Sequence, residues 1–450
     1  MNFTRSTYIR NIKSAGLFGG VQIINIIIGL IKTKFVAILL GTNGFGMFSI
    51  FNSIVRMSGD ITGLGIQTSG VKKISNSYEE SRQALAHSIN SVRSWSIFAA
   101  LCGFLITLIM SPLFNFISFG KSENHLLELF FIPLAVSLTT LSGGEIAILK
   151  GTGEQSKLAK VMIIGTAVSL IISLPLLYFF GTKAIVSSLV LSTLSTYLLC
   201  CRATGLHYRN VPSIYNIQTC IKSDISLFKL GIAFSLACLA GSGTEYAIRS
   251  FLSTNASLDI VGLYNAGFMI TITYSGVAFS ALEADYFPRL ARYKKIKDMM
   301  GIINKQIITN LLISLPLLIA LMLLISYILP ILFTHNFNGA IPFVKVALFG
   351  VIARAVYLPI EYVALAKGKS LLYLFQESVS AILLLVCSIC GYHLYGLIGL
   401  GLGTSISACI ELIFVTIYTR CAFGYRPSIK VIYGTLASFI ILYATYVIVK

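Results

Sequence analysis

The chain has 450 residues, of which 56% are hydrophobic and 11% charged, with a mean hydropathy of +0.86. This composition excludes a soluble globular protein of that length: apolar runs of about 20 residues recur along the whole chain, each long enough to cross the hydrocarbon of a bilayer. The net charge of +18 does not mark a nucleic-acid ligand, because Lys and Arg fall in alternate loops, as membrane topology requires.

Residues 1–13 are polar and basic, and the apolar run that follows is too long for the core of a cleavable signal peptide, so none is expected. Spans are read at 14–40, 45–71, 92–118, 126–150, 158–180 and 183–203. After a loop come 226–250, 260–286, 305–333, 340–366, 371–391 and 396–419, and a thirteenth run covers 429–449. The segments before span one and after spans two, four, six, eight, ten and twelve, with their flanking turns, carry 25 of the 34 Lys and Arg. That bias predicts a cytosolic N-terminus and, through the thirteenth run, an external C-terminus.

The organising stretch is 44–73, GFGMFSIFNSIVRMSGDITGLGIQTSGVKK. It reads as one membrane helix that opens on glycine, carries Arg56 and Asp60 in mid-membrane and ends on a Lys pair. Its opening and ending recur about 218 positions later, in GLYNAGFMI from Gly262 and in FPRLARYKK at 287–295. Pro112 corresponds to Pro330, and GGEIAILKG at 143–151 resembles PIEYVALAKG at 359–368. Each half has an even number of spans, so both copies enter the membrane the same way up. The expected fold is an all-α polytopic membrane protein of two six-helix bundles, related by a pseudo-twofold axis along the membrane normal. The bundles are expected at 1–203 and 226–420, with a cytosolic linker at 204–225 and a peripheral extra helix at 421–450.

Ionisable groups inside a membrane are functional candidates, because each costs roughly 2.5–3.5 kcal/mol at the bilayer centre on insertion scales. On span one, Gln22, Asn25, Gly29 and Lys32 form one polar stripe, and Lys34 lies on another face. On span two, Asn52, Arg56 and Asp60 share a face; an Arg56–Asp60 ion pair within the helix is the plain alternative to a cavity role. Glu245 and Arg249 repeat the spacing on span seven. On span ten, Arg354, Tyr357 and Glu361 share a face, with Arg354 central. Glu145 and Glu361 occupy matching places in the two repeats. Each either exchanges a proton as access alternates or braces a neighbouring helix. Glu283 and Asp285, with Arg289 and Arg292, read as a gate or a structural salt bridge. Glu377 and Glu411 are lone acids, read as structural. Lys345 lies near the outer end of span ten.

The nine cysteines fall in spans or in loops assigned to the cytosol, where disulfides are not expected. Cys387 and Cys390 form a CxxC inside an apolar helix, read as packed thiols. GLIGLGLG at 396–403 is read as helix packing rather than a phosphate loop. The sequence holds no GxxxxGK[ST] pattern and no histidine or cysteine spacing for zinc, so neither ATP-driven transport, a cofactor, a metal nor a catalytic centre is expected.

The runs KFVAILLGTNGFGMFSIFNSI at 34–54, LGIQTSGVKKIS at 64–75, FPRLARY at 287–293 and EYVALAKGKSLLYLFQESVS at 361–380 resemble the Wzx-type O-antigen and polysaccharide flippases. These belong to the multidrug/oligosaccharidyl-lipid/polysaccharide (MOP) exporter superfamily. The resemblance implies two six-helix bundles and alternating access in the bacterial inner membrane. It also implies a substrate of undecaprenyl diphosphate carrying an oligosaccharide repeat unit, flipped from the cytosolic to the periplasmic leaflet. Cations at the places of Lys34, Arg249 and Arg354 are frequent in that family. A diphosphate and an often acidic glycan need cations in a wet lumen, so Lys32, Lys34, Arg56, Arg249 and Arg354 are the expected substrate ligands. Asp60, Glu145 and Glu361 are the candidates for coupling to protons or sodium. Membrane lipids, a polysaccharide polymerase and a chain-length regulator are the further partners implied. A lipid II flippase and a cation-coupled multidrug exporter share the architecture and stand as alternatives. The drug exporter calls for an acidic or aromatic lumen, whereas this chain has more cations than acids at mid-depth. A glycosyltransferase or ligase would need a sizeable extramembrane loop with catalytic acids, which the short loops here do not provide.

Overall fold

A computed structural model describes residues 5–63, 65–120, 124–205, 225–276, 279, 286–287, 289–293 and 295–449. Among these residues the chain is α-helical, with no strand. The helices are α1 (Arg5–Thr62), α2 (Ile66–Glu80), α3 (Arg82–Phe119), α4 (Leu126–Gly151), α5 (Gln155–Phe180) and α6 (Ile185–Thr204). They continue with α7 (Ile225–Asn255), α8 (Leu258–Phe268), α9 (Ile296–Leu332), α10 (Ile341–Ala366), α11 (Ser370–Phe423) and α12 (Ile429–Val449). Among the described residues eight helical stretches are long and apolar enough to cross a membrane. Three of them contain a break and hold two of the expected spans: at Gly41, at the 3-10 turn Gly181–Ala184, and at Tyr395–Gly396. The chain is a multi-pass membrane protein.

The stretch 44–73 is not one helix. The first break falls at Gly41, with φ 65°. The second arm of α1 ends at Thr62, and α2 begins only after Gly65, which holds the left-handed conformation at φ 60°, ψ 21°. Glycine takes such angles without a Cβ penalty, so Gly65 separates the two helices where hydropathy alone carries the span on. The linker residues 206–224 lie outside the described residues.

Two compact units make up the chain. Unit 1 comprises Met1–Gly41 and Met47–Tyr246; unit 2 comprises Thr42–Gly46 and Ala247–Lys450. The division falls inside α7, after Tyr246. In unit 1, α4 is the central helix, packed by α2, α3 and α6. Small residues permit this: a Cβ on Gly144 would stand 2.0 Å from Ser96 Oγ, and one on Gly151 2.7 Å from the Ile74 side chain. In unit 2, α10 is central, packed by α9, α11 and α12. Ser405 on α11 ties it in, accepting from the Gly350 amide at 3.0 Å and donating to the Val346 carbonyl at 2.7 Å. Outward faces are apolar, as lipid requires: Ile109 is 75% exposed and Ile448 80%. Buried Ser and Thr return hydrogen bonds to carbonyls of their own helices, as Thr62 does to Ser58 and Ser96 to Val92, both at 2.8 Å.

The glycine run at 396–403 packs helices, as its composition indicates. A Cβ on Gly399 would meet the Gly391 carbonyl oxygen at 1.8 Å, and one on Gly403 the Cys387 carbonyl oxygen at 2.3 Å. Cys387 is therefore part of this seam. The thirteenth run forms α12, which lies along the α9–α10 hairpin. Tyr425, just before it, donates to Asn304 at 2.9 Å, and Lys345 donates to the Val449 carbonyl at 3.1 Å. The segment Thr42–Gly46 crosses the start of α8 in a reciprocal contact. A Cβ on Gly46 would meet the Leu258 carbonyl oxygen at 2.1 Å, and one on Gly262 the Thr42 carbonyl oxygen at 2.1 Å. Phe45 fills the space beside it, edge-on to Phe333 and Phe337 at 5.6 and 5.5 Å.

Overpacking so close a crossing costs typically 1–3 kcal/mol or more. Gly262→Val and Gly46→Val are therefore expected to lower the thermal midpoint of the detergent-solubilised protein by several degrees. Gly241→Ala, where nothing stands within 4 Å, should leave the midpoint in place.

Candidate substrate-binding site

In unit 1 the polar stripe on α1 faces α5. Lys32 Nζ donates to Ser169 Oγ at 2.6 Å, and Thr166 donates to Asn25 Oδ1 at 3.2 Å. The side chain of Gln22 lies outside the described residues. Lys34 is exposed on the same helix. Arg56 does not pair within its helix. Its Nη1 lies 3.4 Å from Glu245 Oε1 on α7, and 63% of its side chain is exposed. Asp60, one turn on, lies beside Ser242 of α7 and in the fields of Arg56 and Glu245.

Glu145 is clamped. Arg93 Nε and Nη2 donate to its two carboxylate oxygens at 2.7 and 3.0 Å, and Thr204 donates to Oε2 at 2.7 Å. This fork geometry ties α3, α4 and α6 together at the buried carboxylate. Of the two roles set out for Glu145, the geometry displays bracing. Arg93 was not singled out from sequence, because its partner lies on another helix.

In unit 2, Arg249 is 5% exposed. Its Nη2 and Nε donate to Asn265 Oδ1 at 3.0 and 3.3 Å, and its guanidinium sits 5.3 Å from the Phe268 ring centroid. It braces α7 against α8 in this conformation. Directly after Phe268 the helix opens into a π-helical turn, Met269–Tyr274, a form enriched at functional sites. Arg354 lies in the middle of α10, beside Gly276. Its Nε is buried and has no hydrogen-bond partner among the described residues.

Around Arg354 the structure gathers residues that sequence spacing left apart. Tyr357 and Glu361 follow it on α10. Glu411, 6% exposed, lies beside Tyr357 and Ser380 and in the fields of Glu377 and Arg354. Tyr373 donates to Glu377 at 2.5 Å. Glu377 and Glu411, read above as lone structural acids, therefore share one polar cluster with the central arginine. The signal for Glu377 was its spacing from Tyr373, one helical turn away. Of the gate residues, Glu283 and Asp285 lie outside the described residues, and Arg289 is exposed. Nearby Tyr286, fully buried, donates to the Pro359 carbonyl at 2.6 Å and so anchors this motif on α10. Among the described residues no cluster of His, Cys, Asp and Glu is arranged to hold a metal.

The fold is that of the MOP-type membrane transporters. A structure of the lipid II flippase MurJ in an inward closed conformation matches with a TM-score of 0.74 at 14% identity, over 96% of this chain and 92% of that one. An inward-facing MATE multidrug resistance transporter of the MOP superfamily matches with 0.66 at 15% identity, over 89% of this chain and 94% of that one. The sequence goes further than the fold. The chain belongs to the polysaccharide biosynthesis protein family, whose profile matches residues 12–294. A Shigella flexneri protein provisionally named an O-antigen transporter is 25% identical over 408 residues, 89% of this chain and 96% of that protein.

Removing one partner of a buried ion pair typically costs 3–5 kcal/mol, because the other charge stays buried. Arg93→Leu should therefore destabilise the solubilised protein strongly. The double variant Arg93→Leu/Glu145→Leu should recover much of the loss. Thermal midpoints of the two variants, measured side by side, check this.

Proposed function

We propose that this chain flips undecaprenyl-diphosphate-linked oligosaccharide repeat units from the cytosolic to the periplasmic leaflet of the bacterial inner membrane. It does so by alternating access between two repeat-related bundles, with its N-terminus in the cytosol. Family membership and the O-antigen transporter relative support the substrate class. The transporter fold supports the mode of action.

The observation that carries the reading is Arg354. A guanidinium held in mid-membrane costs several kcal/mol unless it is compensated. Here one of its buried nitrogens has no protein partner among the described residues. A phosphate oxygen would supply a strong, charge-assisted partner. Arg56 offers a second such group, since its contact to Glu245 is long and its side chain is largely exposed. Lys32 and Lys34 on the first span and Arg249 on the seventh add further positive charge. A lumen dominated by fixed cations suits an anionic head group and disfavours the cationic substrates of a drug exporter. Glu145, held by Arg93, is assigned to bracing, and Glu361, buried on the central helix of unit 2, to exchange of the coupling ion.

Alanine at Arg354 or Arg249 is expected to abolish surface polysaccharide while the protein is still made and inserted. Normal surface polysaccharide in both variants would refute the assignment. Glu361→Gln should flatten the pH dependence of flipping in proteoliposomes. A profile unchanged from the parent protein would remove Glu361 from ion exchange.

A further inference from the structure

The break between α1 and α2 opens a cleft of about 100 Å³ in unit 1. It is lined by Asp60, Gln67, Thr68 and Ser235, with Gly59, Gly63 and Gly65 leaving the backbone bare. Its chemistry is mixed rather than ionic: one carboxylate, one primary amide, two hydroxyls, and the apolar edges of Ile66 and Cys238. An anion would be repelled by Asp60. A metal ion would meet a single carboxylate with the cationic Arg56 one turn, roughly 5.4 Å, away. A sugar ring fits better. Its hydroxyls donate to a carboxylate and both donate to and accept from an amide and hydroxyls, and its C–H face packs on apolar edges.

Two features hold the cleft in shape. The Gln67 side chain lies against α4, where a Cβ on Gly143 would stand 3.0 Å from its Nε2. Ser242, whose hydroxyl donates to the Cys238 carbonyl at 3.0 Å, stands beside Asp60. Arg56 precedes Asp60 by four residues on the same helical face, and it is exposed. In a lipid-linked oligosaccharide the first sugar is joined directly to the distal phosphate, so neighbouring subsites for phosphate and sugar must sit about one turn apart.

We propose that this cleft is the subsite for the first sugar of the lipid-linked unit, with Arg56 holding the adjoining phosphate. This inference rests on the flippase reading above and assigns Asp60, Gln67 and Thr68 to sugar recognition. It moves Asp60 away from the ion-coupling role considered from sequence.

The test is binding to the full-length protein in lipid nanodiscs, with two probes. One is undecaprenyl diphosphate without sugar; the other is the lipid-linked repeat unit extracted from the producing cell. The parent protein should bind the glycosylated probe at least roughly tenfold more tightly, the yield of one hydrogen bond to a charged group. In Gln67→Ala and Asp60→Asn the ratio of the two affinities should fall towards one. In Arg56→Ala both affinities should fall together, with the ratio kept. Gln67 is exposed, so its variant should fold. A ratio undiminished in both cleft variants, or a ratio of one in the parent, would overturn the sugar subsite while leaving the flippase reading in place. Failure of the parent to bind either probe would overturn that reading and this inference with it.

Discussion

Charge buried in a low-dielectric bilayer must be compensated, and the central helix of each unit meets this demand differently. On α4, Glu145 is neutralised by a forked arginine and capped by Thr204. On α10, Glu361 stands in the matching place, but the residues that correspond to Arg93 fall at Thr309–Leu311 and carry no charge. There Asn310 donates instead to the Ala355 carbonyl at 3.1 Å. A brace built from an ion pair in one repeat is thus a neutral hydrogen bond in the other. The central cation of unit 2, Arg354, is displaced along the same helix, and Tyr357, between it and Glu361, lies in the fields of Arg354, Glu361, Glu377 and Glu411.

That difference separates a structural pair from a working one. The Arg93–Glu145 fork saturates its own hydrogen bonds, so breaking it exposes two desolvated charges with nothing in return. Near Arg354 the Glu377 carboxylate is held by the Tyr373 hydroxyl, and Glu411 lies beside the hydroxyls of Tyr357 and Ser380. Hydroxyls are weaker partners than a guanidinium, so this network can rearrange at lower cost when an anion arrives. Arg249 likewise donates to the neutral amide of Asn265 and Arg56 reaches Glu245 only at 3.4 Å, contacts that a phosphate can replace.

The spans and the glycine seam at 396–403 were legible in the sequence, because hydropathy and small-residue spacing act locally along a helix. The end of the second span was not. Residues 63–65 are apolar or neutral on any hydropathy scale, and the break comes from the φ 60° of Gly65. Arg93 and Glu145 lie 52 positions apart, and nothing in either local pattern announces the other. Glu377 and Glu411 looked solitary for the same reason: α11 doubles back at Tyr395–Gly396, and only that hairpin brings both acids beside α10. Cations could be placed at mid-depth by counting along a span, but whether each is braced or available depended on neighbours from other helices.

The broken second span links these themes. A continuous helix satisfies its own backbone and presents only side chains. Where α1 stops and α2 begins, short turn bonds replace the helical ladder, with the Ile66 amide donating to the Gly63 carbonyl at 2.9 Å and the Thr68 amide to that of Gly65 at 2.9 Å, and glycines keep side chains out of the gap. Such discontinuities persist inside a membrane only where protein or water covers them. In unit 1 that cover comes from α7, through Ser235 and Cys238, and the same helix supplies Ser242 to Asp60 and Glu245 to Arg56. One helix therefore holds both the charged turn and the neutral polar cleft that follows it. Any displacement of α7 along its axis must change both at once, which is the coupling needed if the phosphate and sugar of one substrate are to be gripped and released together.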